Sequence, residues 1–124
     1  MTNESISVIK IHDVLMVAIP GDPDDATVSA LQDRTLLEME RHQVRGLILD
    51  LSKVETFDSY FARTVTETAS MVSLMGGETI IAGMRPAVAI TATQLGIDLG
   101  ATRTAMNVDE ALDMASFQTA QERR

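Results

Sequence analysis

Five consecutive residues, Thr56-Phe57-Asp58-Ser59-Tyr60, join a polar loop to the start of an amphipathic helix. Asp58 has the side chain of a helix N-cap, able to accept from the free amides of a first helical turn. Ser59 then falls at or just inside that turn, with its hydroxyl near the surface. A serine nucleophile would need a base. Neither His12 nor His42 is near Ser59 in the sequence, and the hydrolase elbow motif is absent. Only the approach of a distant histidine in the fold would supply one. Asp50 and Asp58 are a candidate carboxylate pair, but a strand end and a helix cap account for them more simply. His12 and His42 lie in a predicted turn and at a helix end, without ligand-spaced partners, and read as surface histidines. The acidic group Asp22, Asp24 and Asp25 lacks the oxygen ligands of a cation loop and suits turn and cap chemistry. Gly76-Gly77 is a helix stop, and no phosphate-binding glycine loop occurs. The expectation is therefore no catalytic residue, no metal and no cofactor.

The elements that must position these residues start with Gly46-Leu47-Ile48-Leu49, a continuous apolar run ending on Asp50 and Leu51. A short run without polar alternation predicts a strand buried on both faces, at the centre of a parallel sheet. Ile48 should then lie in the core between helix layers. A polar connection, Ser52 to Thr56, leads to Asp58-Ser59 and an amphipathic helix reaching about Met75. Its inner face is read as Phe61, Val65, Thr68, Val72 and Met75; its outer side carries Arg63, Thr66, Glu67 and Ser70. Strand, loop and helix start together place Asp58 and Ser59 at the carboxyl end of the sheet, where open α/β folds put functional residues.

Around this unit, Ile6–Ile11 and Val14–Ile19 predict two strands joined by His12-Asp13, hence an antiparallel hairpin. Asp24 or Asp25 caps a helix to about Arg41, with Val28, Leu31, Thr35 and Met39 inward. Ala26, Ala30 and Leu37 form a second small stripe on its other side, suited to contact with another chain. Thr79 to Gly83 is a further buried strand. Pro86 opens a third helix, with Val88, Ala92 and Leu95 inward, a stop at Gly96 and an apolar cap contact from Ile97. Thr102–Met106 is a weak strand, Ala111 to about Phe117 a last helix, and 119–124 a frayed tail after a single domain of residues 1–118. The predicted fold is α/β: a mostly parallel sheet opened by an antiparallel hairpin, with helices packed against it.

Composition narrows the function. The chain has 124 residues, a net charge of −8 and no run of Lys and Arg, which disfavours nucleic acid and anionic membrane surfaces. It has no Cys, which removes disulfides and thiolate chemistry. The polar start MTNES carries no targeting signal, and no apolar stretch approaches the roughly 20 residues of a membrane span. A cytoplasmic protein is the expectation.

Leu47-Ile48-Leu49-Asp50-Leu51-Ser52-Lys53-Val54 followed by Phe57-Asp58-Ser59 resembles the signature of STAS domains, the anti-anti-sigma-factor family. Gly83-Met84-Arg85-Pro86 resembles that family's turn before its third helix, and the order of elements agrees from about residue 5 to 118. Pro86 to Thr91 with Leu95-Gly96-Ile97, and Ser70-Met71 through Leu74-Met75-Gly76, are similar to the RsbS-type scaffold branch of the stressosome. The resemblance implies a STAS-like fold and a non-enzymatic role. It also implies phosphorylation of Ser59 by a partner serine kinase of the RsbT type, with Thr91 matching a second phosphorylated position. The partner-binding loop would be Thr56, Phe57, Asp58, Ser59 and Tyr60. Further implied partners are RsbR-type STAS paralogues, a resetting phosphatase of the RsbX type, and other copies of the chain. RsbR-type chains carry a separate N-terminal sensory domain; this chain begins at its first strand, which favours the scaffold branch. The alternative within the family is a free anti-anti-sigma factor that binds an anti-sigma kinase and is inactivated at Ser59.

Overall fold

The computed structural model describes residues 6–96 and 102–122, with side chains up to 115. The hairpin is present: β1 (Ser7–Ile11) and β2 (Val14–Ala18) pair antiparallel, with Ile11 opposite Val14 across the His12-Asp13 turn. Then α1 (Asp25–His42), β3 (Gly46–Asp50), α2 (Ser59–Leu74), β4 (Glu78–Ala82), α3 (Pro86–Gln94), β5 (Arg103–Ala105) and α4 (Val108–Glu122) follow. The sheet order is β1-β2-β3-β4-β5, and β2 through β5 run parallel. The expected α/β class and the mixed sheet are both observed.

Alternation along β3 divides the core. Leu47 and Leu49 face a large cluster with Val28, Leu31 and Met39 of α1, Phe61, Val65 and Val72 of α2, and Val88 and Ala92 of α3. Ile48 faces the other way, onto Val14, Ile80, Ala82 and the α4 residues Ala111 and Ala115. Leu47, Ile48 and Leu49 are all fully buried, so this strand lies between helix layers because neither of its faces has a polar position. Val28, Leu31, Thr35 and Met39 are buried on α1 as their spacing requires.

Several boundaries differ from expectation for local reasons. Met75 and Leu95 were expected to point inward. Both are instead the C-caps of their helices and stand 49% and 40% exposed, because the chain departs at Gly76 and Gly96, which take positive φ. Of Gly76-Gly77 only the first has positive φ. Gly77 is required for space, since a Cβ there would lie 2.8 Å from the Arg45 carbonyl oxygen. The buried face of α2 is wider than its periodicity indicated and includes Ala62, Thr64 and Ala69, because α2 packs on α1 as well as on the sheet. The weak fifth strand is confined to Arg103–Ala105. The last helix starts earlier than Ala111 and its backbone continues past Phe117 to Glu122. Its start is capped by Asn107, whose Oδ1 accepts from the Glu110 amide at 2.8 Å. The Ile97 cap contact lies outside the described residues.

Candidate functional site

The loop from Leu51 to Asp58 lies at the carboxyl end of β3 and is held from several directions. Its first residues are an Asx turn, in which the Ser52 amide donates to Asp50 Oδ1 at 2.9 Å. The Leu51 amide donates to the Ala82 carbonyl at 2.9 Å, which joins the loop to the end of β4. On the other side, the Glu55 amide donates to the Gly21 carbonyl at 2.8 Å and the Thr56 hydroxyl to Asp22 Oδ1 at 2.8 Å. The Arg85 guanidinium meets Glu55 at 3.6 Å, linking the loop to the start of α3. Gly83, at φ 74°, passes so close to Ser52 that a Cβ would sit 3.0 Å from the serine Cβ. The two neighbouring β/α connections, after β2 and after β4, therefore fix this loop.

The helix start itself is well determined. Asp58 is extended, and its Oδ1 accepts from the Phe61 amide at 2.8 Å, while the Ala62 amide donates to the Asp58 carbonyl at 3.0 Å. Phe57 and Phe61 are buried with ring centroids 5.0 Å apart, tilted at 47°, which anchors the residues on either side of the cap. Val54 is also fully buried. Thr56, Asp58, Ser59 and Tyr60 stay exposed between these anchors. The Ser59 hydroxyl makes no hydrogen bond with a described residue, and the amides of Ser59 and Tyr60 have no acceptor among them. The result is an exposed hydroxyl at the amino end of a helix on a rigid frame.

The structure brings Thr56, Phe57, Asp58, Ser59 and Tyr60 together as one segment and leaves the histidines away from it. His12 precedes β2 and His42 precedes β3, whereas Ser59 follows β3. In a parallel arrangement those are opposite ends of strands roughly 17 Å long. His42 is engaged with Glu38 at 3.1 Å on its own helix. No imidazole among the described residues can serve Ser59 as a base. Asp24 accepts from the Thr27 amide at 2.8 Å as the cap of α1, and Asp22 is occupied by Thr56, so the acidic group is indeed turn and cap chemistry. Among the described residues no three His, Asp or Glu side chains are grouped to hold a metal ion. No described helix is long and apolar enough to cross a membrane. Thr91 is half-buried on α3, and its hydroxyl donates to the Ala87 carbonyl at 3.0 Å along its own helix.

Sequence reasoning missed the frame around the loop. Gly21, Asp22, Glu55 and Arg85 support it, but nothing local signals contacts between separate β/α units. Gly83 did carry a signal, as part of the glycine-to-proline turn.

The family model for the STAS domain matches residues 5–111. The RsbT co-antagonist protein RsbRB of Bacillus subtilis is 30% identical over 98 residues, which cover 79% of this chain and 35% of that protein. The chain thus spans about a third of the length of this curated relative. Among solved structures, a serine-to-glutamate variant of RsbS from Moorella thermoacetica aligns with TM-score 0.82 and 30% identity, covering 93% of this chain and 97% of that one. A chain from the molecular architecture of the stressosome, a signal integration and transduction hub, aligns with TM-score 0.80 and 31% identity, covering 91% and 98%.

Proposed function

The chain belongs to the STAS domain family, and we propose that it is a non-enzymatic stressosome scaffold that holds a serine kinase and releases it when Ser59 is phosphorylated. The observation that carries this reading is the exposed, unengaged Ser59 hydroxyl at the capped start of α2, on a loop tied to its neighbouring connections. A kinase active site needs an accessible hydroxyl that can reach the γ-phosphate of ATP. An RsbT-type kinase would transfer the γ-phosphoryl group of ATP, forming the Oγ–P bond as ADP leaves and its own base takes the hydroxyl proton. RsbR-type paralogues would share the assembly, an RsbX-type phosphatase would reset Ser59, and the assembly would be cytoplasmic and contain further copies of this chain.

The electrostatics indicate how such a switch works. A phosphate on Ser59 adds about −1.5 to −2 charge at pH 7. The free amides at the start of α2 and the helix dipole favour it. The Asp58 carboxylate beside it opposes it. These effects offset each other, so the helix stays folded and the change is felt at the surface. A kinase docked over Thr56 to Tyr60 meets new bulk and charge, and its desolvated contacts there are lost. The test is mass spectrometry after incubation with an RsbT-type kinase and ATP. A phosphopeptide carrying Ser59, absent from Ser59→Ala, is expected. Wild-type chain left unmodified, or modified equally in the variant, would overturn the assignment.

A further inference from the structure

Most charged side chains at the carboxyl end of the sheet are committed. Glu55 pairs with Arg85, Asp22 accepts from Thr56, Asp50 from the Ser52 amide, and Asp58 from the Phe61 amide. Two cations are the exceptions, Lys53 in the loop and Arg63, and of the two only Arg63 shares a helix with Ser59. Arg63 is exposed on the outer side of α2 and makes no hydrogen bond or ion pair with another described residue. It follows Ser59 by four positions on a continuous helix. Side chains so spaced have Cβ atoms roughly 5–6 Å apart, and an anion placed N-terminal to a cation is the favourable orientation. A phosphoserine projects three oxygens beyond Oγ, and a guanidinium offers a planar fork that matches two of them. Arg85, the other arginine at this end, would first have to leave Glu55.

We propose that Arg63 receives the phosphate on Ser59, closing an i,i+4 ion pair along the outer face of α2; this rests on Ser59 being the modified residue. The pair draws the phosphate along the helix and away from Asp58, so the modified serine is accommodated without unwinding the first turn. It also changes more of the surface than the loop. In the unmodified chain Arg63 heads an open groove of about 570 Å³ that continues over Thr66, Glu67, Ser70, Met71 and Leu74. Once paired, Arg63 holds its side chain toward the start of α2, which reshapes the head of that groove.

The pairing is tested on the full chain with phosphoserine placed at position 59 during synthesis, so that no kinase is needed. The Arg63 Nε–H resonance is followed with and without the phosphate. Urea unfolding is measured for Ser59 and phosphoserine chains, each with Arg63, Arg63→Ala and Arg63→Lys. The expected result is a downfield shift of the Arg63 Nε–H on phosphorylation. The phosphate should also favour folding roughly 1.4- to 2.3-fold more in the unfolding equilibrium constant with Arg63 than with alanine, and lysine should restore part of the difference. An unmoved Arg63 resonance with no coupling in the cycle would overturn the proposal, as would a shift at Arg85 in its place. A kinase that leaves Ser59 unmodified contradicts the functional reading; an unmoved Arg63 in the phosphoserine chain contradicts the pairing alone.

Discussion

Ser59 owes its exposed position to Asp58, which precedes it. The cap fixes where α2 begins and leaves the next hydroxyl outside. Asp58→Ala should therefore destabilise the fold by about 1 kcal/mol while keeping the phosphoryl acceptor, as measured by urea unfolding. An unchanged midpoint would mean that the cap does not hold the site. Asp24 is the matching cap of α1. Hydrogen bonds from the Thr27 side chain and then its amide hold the Asp24 carboxyl below its ordinary value. An unfolded aspartate titrates at about 3.9, so the stabilisation is complete above that pH and is lost as pH falls through the lower folded value. Asp24→Ala should lower stability at neutral pH and match the wild type in strong acid; a gap independent of pH would contradict this. Asp58 was legible as a cap, and Asp24 as one of two candidates with Asp25, because a cap and the amide that donates to it lie within one turn. The Thr56–Asp22 bond and the Glu55–Arg85 pair were not, since they join connections that only the fold brings together.

At the level of elements, β3 sets the site by supplying the strand end from which the loop leaves. Ile48 sits between the sheet and α4 with no exposed surface. Ile48→Ala should cost about 2–5 kcal/mol, read from the thermal or urea midpoint, and an unaltered midpoint would contradict its place in the core. This strand was legible because an uninterrupted apolar run has few other solutions. The helix ends were less so. The apolar periodicity of α2 and α3 continues onto Met75 and Leu95, but the chain turns away at the following glycine and leaves both partly in solvent. The width of the α2 core face was also hidden, because alanine and threonine give little hydrophobic signal although Ala62, Thr64 and Ala69 are buried against neighbouring elements. On α1 the second stripe is open: Ala26 and Ala30 are exposed and Leu37 is 54% exposed, with no cover from the other described residues. Leu37→Glu should weaken assembly in sedimentation and leave the circular dichroism spectrum unchanged; assembly that tolerates the charge would remove this face from the interface.

At the scale of the whole molecule, the mixed sheet and the order of helices place Ser59 on the outside of the fold, and under the proposed function a partner would read its state without unfolding the domain. A scaffold mixed with an RsbR-type paralogue should form particles of megadalton size, whereas a free anti-anti-sigma factor would remain a monomer or dimer; mass measurement in solution separates them. The central claim concerns the kinase. Its affinity should be measured by calorimetry for wild type, Ser59→Ala, Ser59→Asp and the chain phosphorylated at Ser59, with circular dichroism on each. Wild type and Ser59→Ala should bind alike, Ser59→Asp more weakly, and the phosphorylated chain most weakly, all with the same helical signal. Equal affinity in all four would contradict the switch, and loss of helical signal in the phosphorylated chain would mean that release works by unfolding α2.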